Sequence, residues 1–279
     1  MINATLPPEL IDHIISSLAI PTRKLGDVSL DWRDERIVKT DLYSSSLVCR
    51  EWGELARPHI FRAIDVYLHQ SGRITLEAFL EFLNATPRVS HHIRKLSLIF
   101  FNPKRADAVN LNTLHTILSC LSHLQKLSLT KYNGHLFHSM PEEWDPTPIH
   151  LQHVHCNALD DVFPFLRMLG IVDELIVVNH TTYGYIPHLV SKVSHLKLRS
   201  LRVVAYSDVT SFLEGILLTS VVTTIDSLFL KDFATERHCA AAKQLLERVG
   251  PRLLDIWIDA SSLPSEFSCI YQYTKTDFD

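Results

Sequence analysis

Hydrophobic positions along this chain follow two periods. One is a compact motif: an apolar residue, two variable residues, an apolar residue, one variable residue, a last apolar residue. It reads IRKLSL from Ile93, LQKLSL from Leu124, LQHVHC from Leu151 and VDELIV from Val172. It continues as LRSLRV from Leu198, IDSLFL from Ile225 and LLDIWI from Leu253, and FRAIDV from Phe61 also fits. The last four positions of each copy alternate, which predicts a short strand with one buried face. Between the copies the period lengthens to that of a helix. Leu76, Phe79, Leu80 and Leu83 share one face of a segment over 75–83. Leu114, Ile117, Leu118 and Leu121 do so over 112–121. Asp208 can cap a helix carrying Phe212, Leu213, Ile216 and Leu217. Thr235 can cap another carrying Cys239, Ala242, Leu245, Leu246 and Val249, with Gly250-Pro251 as its stop signal.

From Ile93 onward the copies lie 31, 27, 21, 26, 27 and 28 residues apart. That spacing falls within the range of leucine-rich repeats. One strand and one helix cannot bury their apolar faces alone, but stacked units can. Three buried aliphatics per strand, at about 1.5–3 kcal/mol each, make the stack favourable. The expected fold class is therefore α/β: an irregular leucine-rich-repeat solenoid with parallel strands on its concave side and helices on its convex side. The alternative is an ordinary α/β sheet with accidental periodicity. Most copies lack the consensus asparagine; Cys156-Asn157 comes nearest, so the repeat is degenerate. The alternation also selects the residues facing the concave side, two per copy. They run from Lys95 and Ser97 through His153 and His155, Glu174 and Ile176, to Arg202, Phe229 and Trp257. Solenoids bind on that side, and aromatic and Arg residues are favoured anchors. Arg202, Phe229 and Trp257 are thus candidate contacts to a protein substrate.

The first 65 residues read differently. LPPELIDHIISSL places Leu10, Ile11, Ile14, Ile15 and Leu18 on one helical face, with Pro7 and Pro8 at its start. DLYSSSLVCREWGELARPHIF places Leu47, Val48, Trp52 and Leu55 on one face, with Pro58 as the expected stop. Two such helices can serve simply as the cap that a solenoid end requires. Their wording, however, closely resembles the F-box, most of all its mushroom-type fungal members. The family opens with Leu-Pro, Glu and a run of aliphatics, here Leu6, Pro7, Glu9, Leu10, Ile11, Ile14, Ile15 and Leu18. It continues with Asp-Leu and Leu-Val-Cys-Arg-x-Trp, here Asp41, Leu42, Leu47, Val48, Cys49, Arg50 and Trp52. The resemblance covers about a fifth of the chain closely.

It implies a non-catalytic adaptor: an F-box domain over 1–62 and a repeat domain over 63–279. The F-box would dock on the Skp adaptor protein and through it on a cullin–RING ubiquitin ligase, while the repeats recruit a protein substrate. Carried over by position, the Skp-facing candidates are Leu6, Pro7, Leu10, Ile11, Ile14, Leu42, Leu47, Val48, Cys49 and Trp52. Some of these must instead form the helices' own core. One departure from the family is a polar stretch, Ile20 to Thr40, between the first helix and Asp41-Leu42. It is expected to be a loop inserted over about 20–40, able to shield or extend the docking face.

Composition narrows the function further. The 279 residues carry 27 basic and 31 acidic side chains, and neither part is basic enough to imply nucleic acid. Five scattered cysteines without a CxxC spacing suggest a reduced, intracellular protein, cytoplasmic or nuclear. Glu9, Asp12 and His13 interrupt the only apolar run near the start, so no signal peptide is expected, and no run of about 18 apolar residues implies a membrane span. Phosphate-binding loops, nucleophile elbows and zinc-protease motifs are absent. His153 and His155 point to one strand face and Cys156 to the other, which leaves two metal ligands without partners. Neither metal nor cofactor is expected.

Overall fold

The structure, a computed structural model, describes residues 6–18, 35–69, 75–101, 110–132, 146–157, 162–178, 193, 195–205, 209–233 and 235–259. Its framework is one eight-stranded sheet. The strands are β1 (Ala63–His69), β2 (Lys95–Phe101), β3 (Lys126–Tyr132), β4 (Ile149–Asn157), β5 (Leu169–Val178), β6 (Lys197–Val204), β7 (Ser227–Lys231) and β8 (Asp255–Ile258). They lie side by side in strict chain order, and every neighbouring pair is parallel. Each strand carries one motif copy, FRAIDV included. The register aligns equivalent positions across the whole sheet: Leu96 faces Leu127, then Val154, Leu175, Leu201 and Leu228. This is a solenoid-like α/β fold.

Neighbouring units are also joined where the strands begin. The Arg62 carbonyl accepts from the N–H groups of Arg94 and Lys95, at 2.8 and 2.9 Å. The carbonyls of Arg94 and Gln125 do the same for the next two units. Each of these oxygens thus accepts two N–H groups from the following unit.

Before the sheet stand three helices, α1 (Pro8–Leu18), α2 (Glu35–Ser46) and α3 (Arg50–Phe61). Ile11, Ile15, Leu42, Ala56 and Ile60 form their core. Three expectations need correction here. The stretch read as a loop over 20–40 is helical from Glu35, so its last six residues are the opening turns of α2. Its polar sequence, ERIVKT, hides the helical period. Pro58 lies inside α3 rather than ending it. The last turn persists because Ile60 is buried in the trio core and Phe61 packs against both this core and that of the sheet. Leu47 and Val48 are not on a helical face with Trp52; with Cys49 they form the turn between α2 and α3.

The remaining helices cover one side of the sheet: α4 (Leu76–Ala85), α5 (Pro87–Ser90), α6 (Leu111–Cys120), α7 (Phe163–Leu166), α8 (Thr210–Leu217) and α9 (Glu236–Val249). Leu98, Leu129, Cys156, Val177, Val203 and Leu230 point to that side and share a single core with the helices. Side chains set the helix starts. Thr75 and Thr235 accept from the N–H groups of Ala78 and His238, both at 3.2 Å. Asn110 caps α6, which begins at Leu111, one position before the expected start at 112. Val209 occupies the cap position of α8, and the expected cap Asp208 lies outside the described residues. The shortest repeat, 21 residues from Leu151 to Val172, makes room by shrinking its helix to the four residues of α7. Among the described residues no helix is long and apolar enough to cross a membrane.

Candidate functional site

Two surfaces carry the residues singled out by sequence. The first is the helical trio. In α1 the single apolar face divides into an inner and an outer half. Ile11 and Ile15 are 3% and 0% exposed, whereas Leu10 is 50% exposed and Ile14 39%. Leu6 and Pro7 are exposed just ahead of it. In the α2–α3 turn Leu47 is 84% exposed and Val48 63%, with Cys49 exposed beside them. Trp52 is half-buried against the trio core. Ile11 and Leu42 therefore drop out as partner contacts: both close the trio's own interior, Leu42 at 2% exposure. Sequence missed Tyr43, which is exposed on α2. Its single aromatic ring in a polar helix gave no periodic signal.

The second surface is the sheet face opposite the helices. Alternation and register bring the expected residues into two rows. His153, Glu174 and Ser200 are neighbours in one, and His155, Ile176, Arg202, Phe229 and Trp257 in the other. Arg202, Phe229 and Trp257 form a continuous stack. The Arg202 guanidinium lies 5.2 Å from the centre of the Phe229 ring, and that ring stacks on Trp257 at 4.0 Å with 3° between planes. Phe229, expected to be open to solvent, is half-buried by these two neighbours, while Trp257 keeps 45% of its surface.

Sequence did not show what holds the stack. Glu174 accepts from Arg202 Nε at 2.6 Å through one oxygen and contacts His153 Nδ1 at 3.0 Å through the other. One carboxylate thus orients the guanidinium that covers Phe229. It also neutralises it, so Arg202 is a platform more than a hook for anions. His155 contacts the Ser128 hydroxyl at 3.2 Å, and burial lowers its pKa to about 4. Burial pushes the Cys156 thiol, on the opposite side of β4, far above its ordinary range. An inert thiol and two histidines already engaged by neighbouring strands offer no nucleophile. Among the described residues no three His, Cys, Asp or Glu side chains gather as a metal site. The arrangement can present flat aromatic surface to a partner.

No protein-family model and no curated protein matches the chain. Among solved structures it is similar to a Bacteroides fragilis protein determined as a structural-genomics target, with 14% identity and a TM-score of 0.46. That match covers 79% of this chain and 65% of the other, less than two-thirds of its length, and is too distant to carry an argument.

Proposed function

We propose that the chain is the substrate-recognition adaptor of an SCF-type (Skp–cullin–F-box) ubiquitin ligase inside the cell, without catalytic activity of its own. The trio over 1–62 is an F-box that docks on the Skp adaptor, and the degenerate leucine-rich repeats recruit a protein substrate. The observation that carries this reading is the outward display of Leu10, Ile14, Leu47 and Val48. The buried core of the trio is made of other residues, so these aliphatics leave much of their apolar surface uncovered. Exposed apolar side chains held on a small rigid element fit a partner's helical surface. They coincide with F-box positions in the sequence. Arg202, Phe229 and Trp257 are the proposed substrate contacts.

A second reading has support of its own. Phe61 joins the two hydrophobic cores, and the Lys39 ammonium donates to the Ala63 carbonyl at the start of the first strand. The trio thus caps the solenoid, and a cap need not engage Skp. A pull-down with the Skp adaptor of the same organism separates the readings. The intact chain should retain Skp, and Leu10→Asp with Leu47→Asp should lose it while keeping its thermal unfolding midpoint, since both positions face solvent. No retention by the intact, folded chain would leave the cap reading standing.

A further inference from the structure

The aromatic stack ends at an edge of the sheet. Among the described residues β8 has a strand on one side only. The N–H groups of Asp255 and Asp259 donate to the carbonyls of Asp226 and Leu230 in the preceding unit, at 3.3 and 2.9 Å. Backbone groups alternate in direction along a strand, so the N–H and C=O groups of Ile256 and Ile258 point away from β7. Among the described residues nothing bonds to them. The Ile256 and Ile258 side chains rest on the core of the sheet, which holds the edge in place. Asp255, Trp257 and, just past the strand, Asp259 share its other face. Phe229 covers one side of the Trp257 ring, and the other side looks along the row toward where a next strand would lie. Trp257 keeps 45% of its surface, and Asp255 is exposed without a cation paired to it among the described residues.

We propose that β8 takes up an extended segment of the protein substrate as a further strand, with a flat side chain stacked on Trp257 and a Lys or Arg across from Asp255. The inference deepens the reading of Arg202, Phe229 and Trp257 as substrate contacts and rests on it. Three features select this occupant. Ile256 and Ile258 each offer one donor and one acceptor, at the spacing that the backbone of an added strand matches. The row Arg202–Phe229–Trp257 is a stack with one open end, and aromatic rings pair well across neighbouring strands. Asp255 calls for a cation two positions from the stacked residue. A second copy of this chain fits less well. Stacking its own Trp257 there in antiparallel pairing sets Asp255 of each copy opposite Asp259 of the other, and like charges across a strand pair are destabilising.

The test is fluorescence anisotropy of a labelled Ser-Lys-Val-Tyr-Val-Lys-Ser peptide with the full chain; its symmetric core fits either strand direction. The same peptide with Glu for Lys should bind about threefold more weakly or worse. Asp255→Lys should reverse that preference, a result that misfolding cannot imitate. Two further peptides carry backbone N-methyl groups, one on both valines and the other on the tyrosine and the second lysine. Alternate N–H groups face the edge, so one methylation pattern should abolish binding and the other spare it. No binding, equal sensitivity to the two patterns, or an unchanged preference in Asp255→Lys would overturn the proposal. So would sedimentation of the chain as a dimer that Trp257→Lys dissociates, which would give the edge to a second copy. Trp257→Ala separates the inference from the reading beneath it. Binding lost in that variant but indifferent to the methylation pattern would remove strand addition and leave the stack as a contact. Binding unaffected by Trp257→Ala would overturn both.

Discussion

Near pH 7 His155 is neutral, because burial on the sheet face holds its pKa at about 4, below the 6.5 of a free imidazole. Between those values the unfolded chain carries the extra proton, so stability rises with pH across that window. It is fully present above pH 6.5 and lost as pH falls toward 4, by at most about 3 kcal/mol. His155→Gln should therefore lose less stability than the parent between about pH 7 and about pH 4.5, measured by urea unfolding. An equal loss would place the acid sensitivity elsewhere. Gly215 is a second residue whose identity is set by its surroundings. A Cβ there would run into the Phe163 ring, and that ring is buried between α7 and α8. Gly215→Ala gains about 1 kcal/mol of helix propensity but overpacks the core at about 1–3 kcal/mol. The expected net effect is a lower thermal midpoint, and a higher one would show that Phe163 has room to move.

Among the elements, strands were the most legible. The motif's alternation fixes both which residues face the helices and how neighbouring copies align, so Lys95, Lys126, His153, Glu174, Ser200, Ser227 and Asp255 fall in one row as read from spacing. Helix starts were legible where Thr75 and Thr235 announce them. The start of α2 was not, because its first turns have no apolar period. Pro58 misled because a proline signal is local whereas the burial of Ile60 and Phe61 is tertiary. Inside a helix it removes a hydrogen bond and crowds the preceding turn, at about 3 kcal/mol, while stiffening the unfolded chain by up to about 1. Pro58→Ala should thus raise stability by about 2 kcal/mol, read from the urea midpoint; an unchanged midpoint would mean that α3 has already adapted. The sheet face was legible only in part. Arg202, Phe229 and Trp257 share a motif position, so the stack follows from register. The Glu174–Arg202 contact depends on side-chain reach across a diagonal, which spacing alone does not encode. Glu174→Gln should cost about 1 kcal/mol and be non-additive with Arg202→Gln in a double-mutant cycle. Additive effects in that cycle would deny that the two act as a pair.

As a whole molecule the chain sets a small helical trio, with aliphatics turned outward, on the first edge of a parallel sheet whose far end carries an aromatic stack. The sheet was open to reading from sequence because periodicity is a repeated signal. The split of one apolar helix face into inner and outer halves was not, since Leu10 and Ile11 are alike in character and differ only in what packs on them. Isothermal titration of the Skp adaptor into the purified full chain, at several temperatures, tests the central claim most directly. The account predicts saturable one-to-one binding with a negative heat-capacity change, as burial of Leu10, Ile14, Leu47 and Val48 requires. Absence of binding heat at every temperature, with the chain shown to be folded, would contradict it.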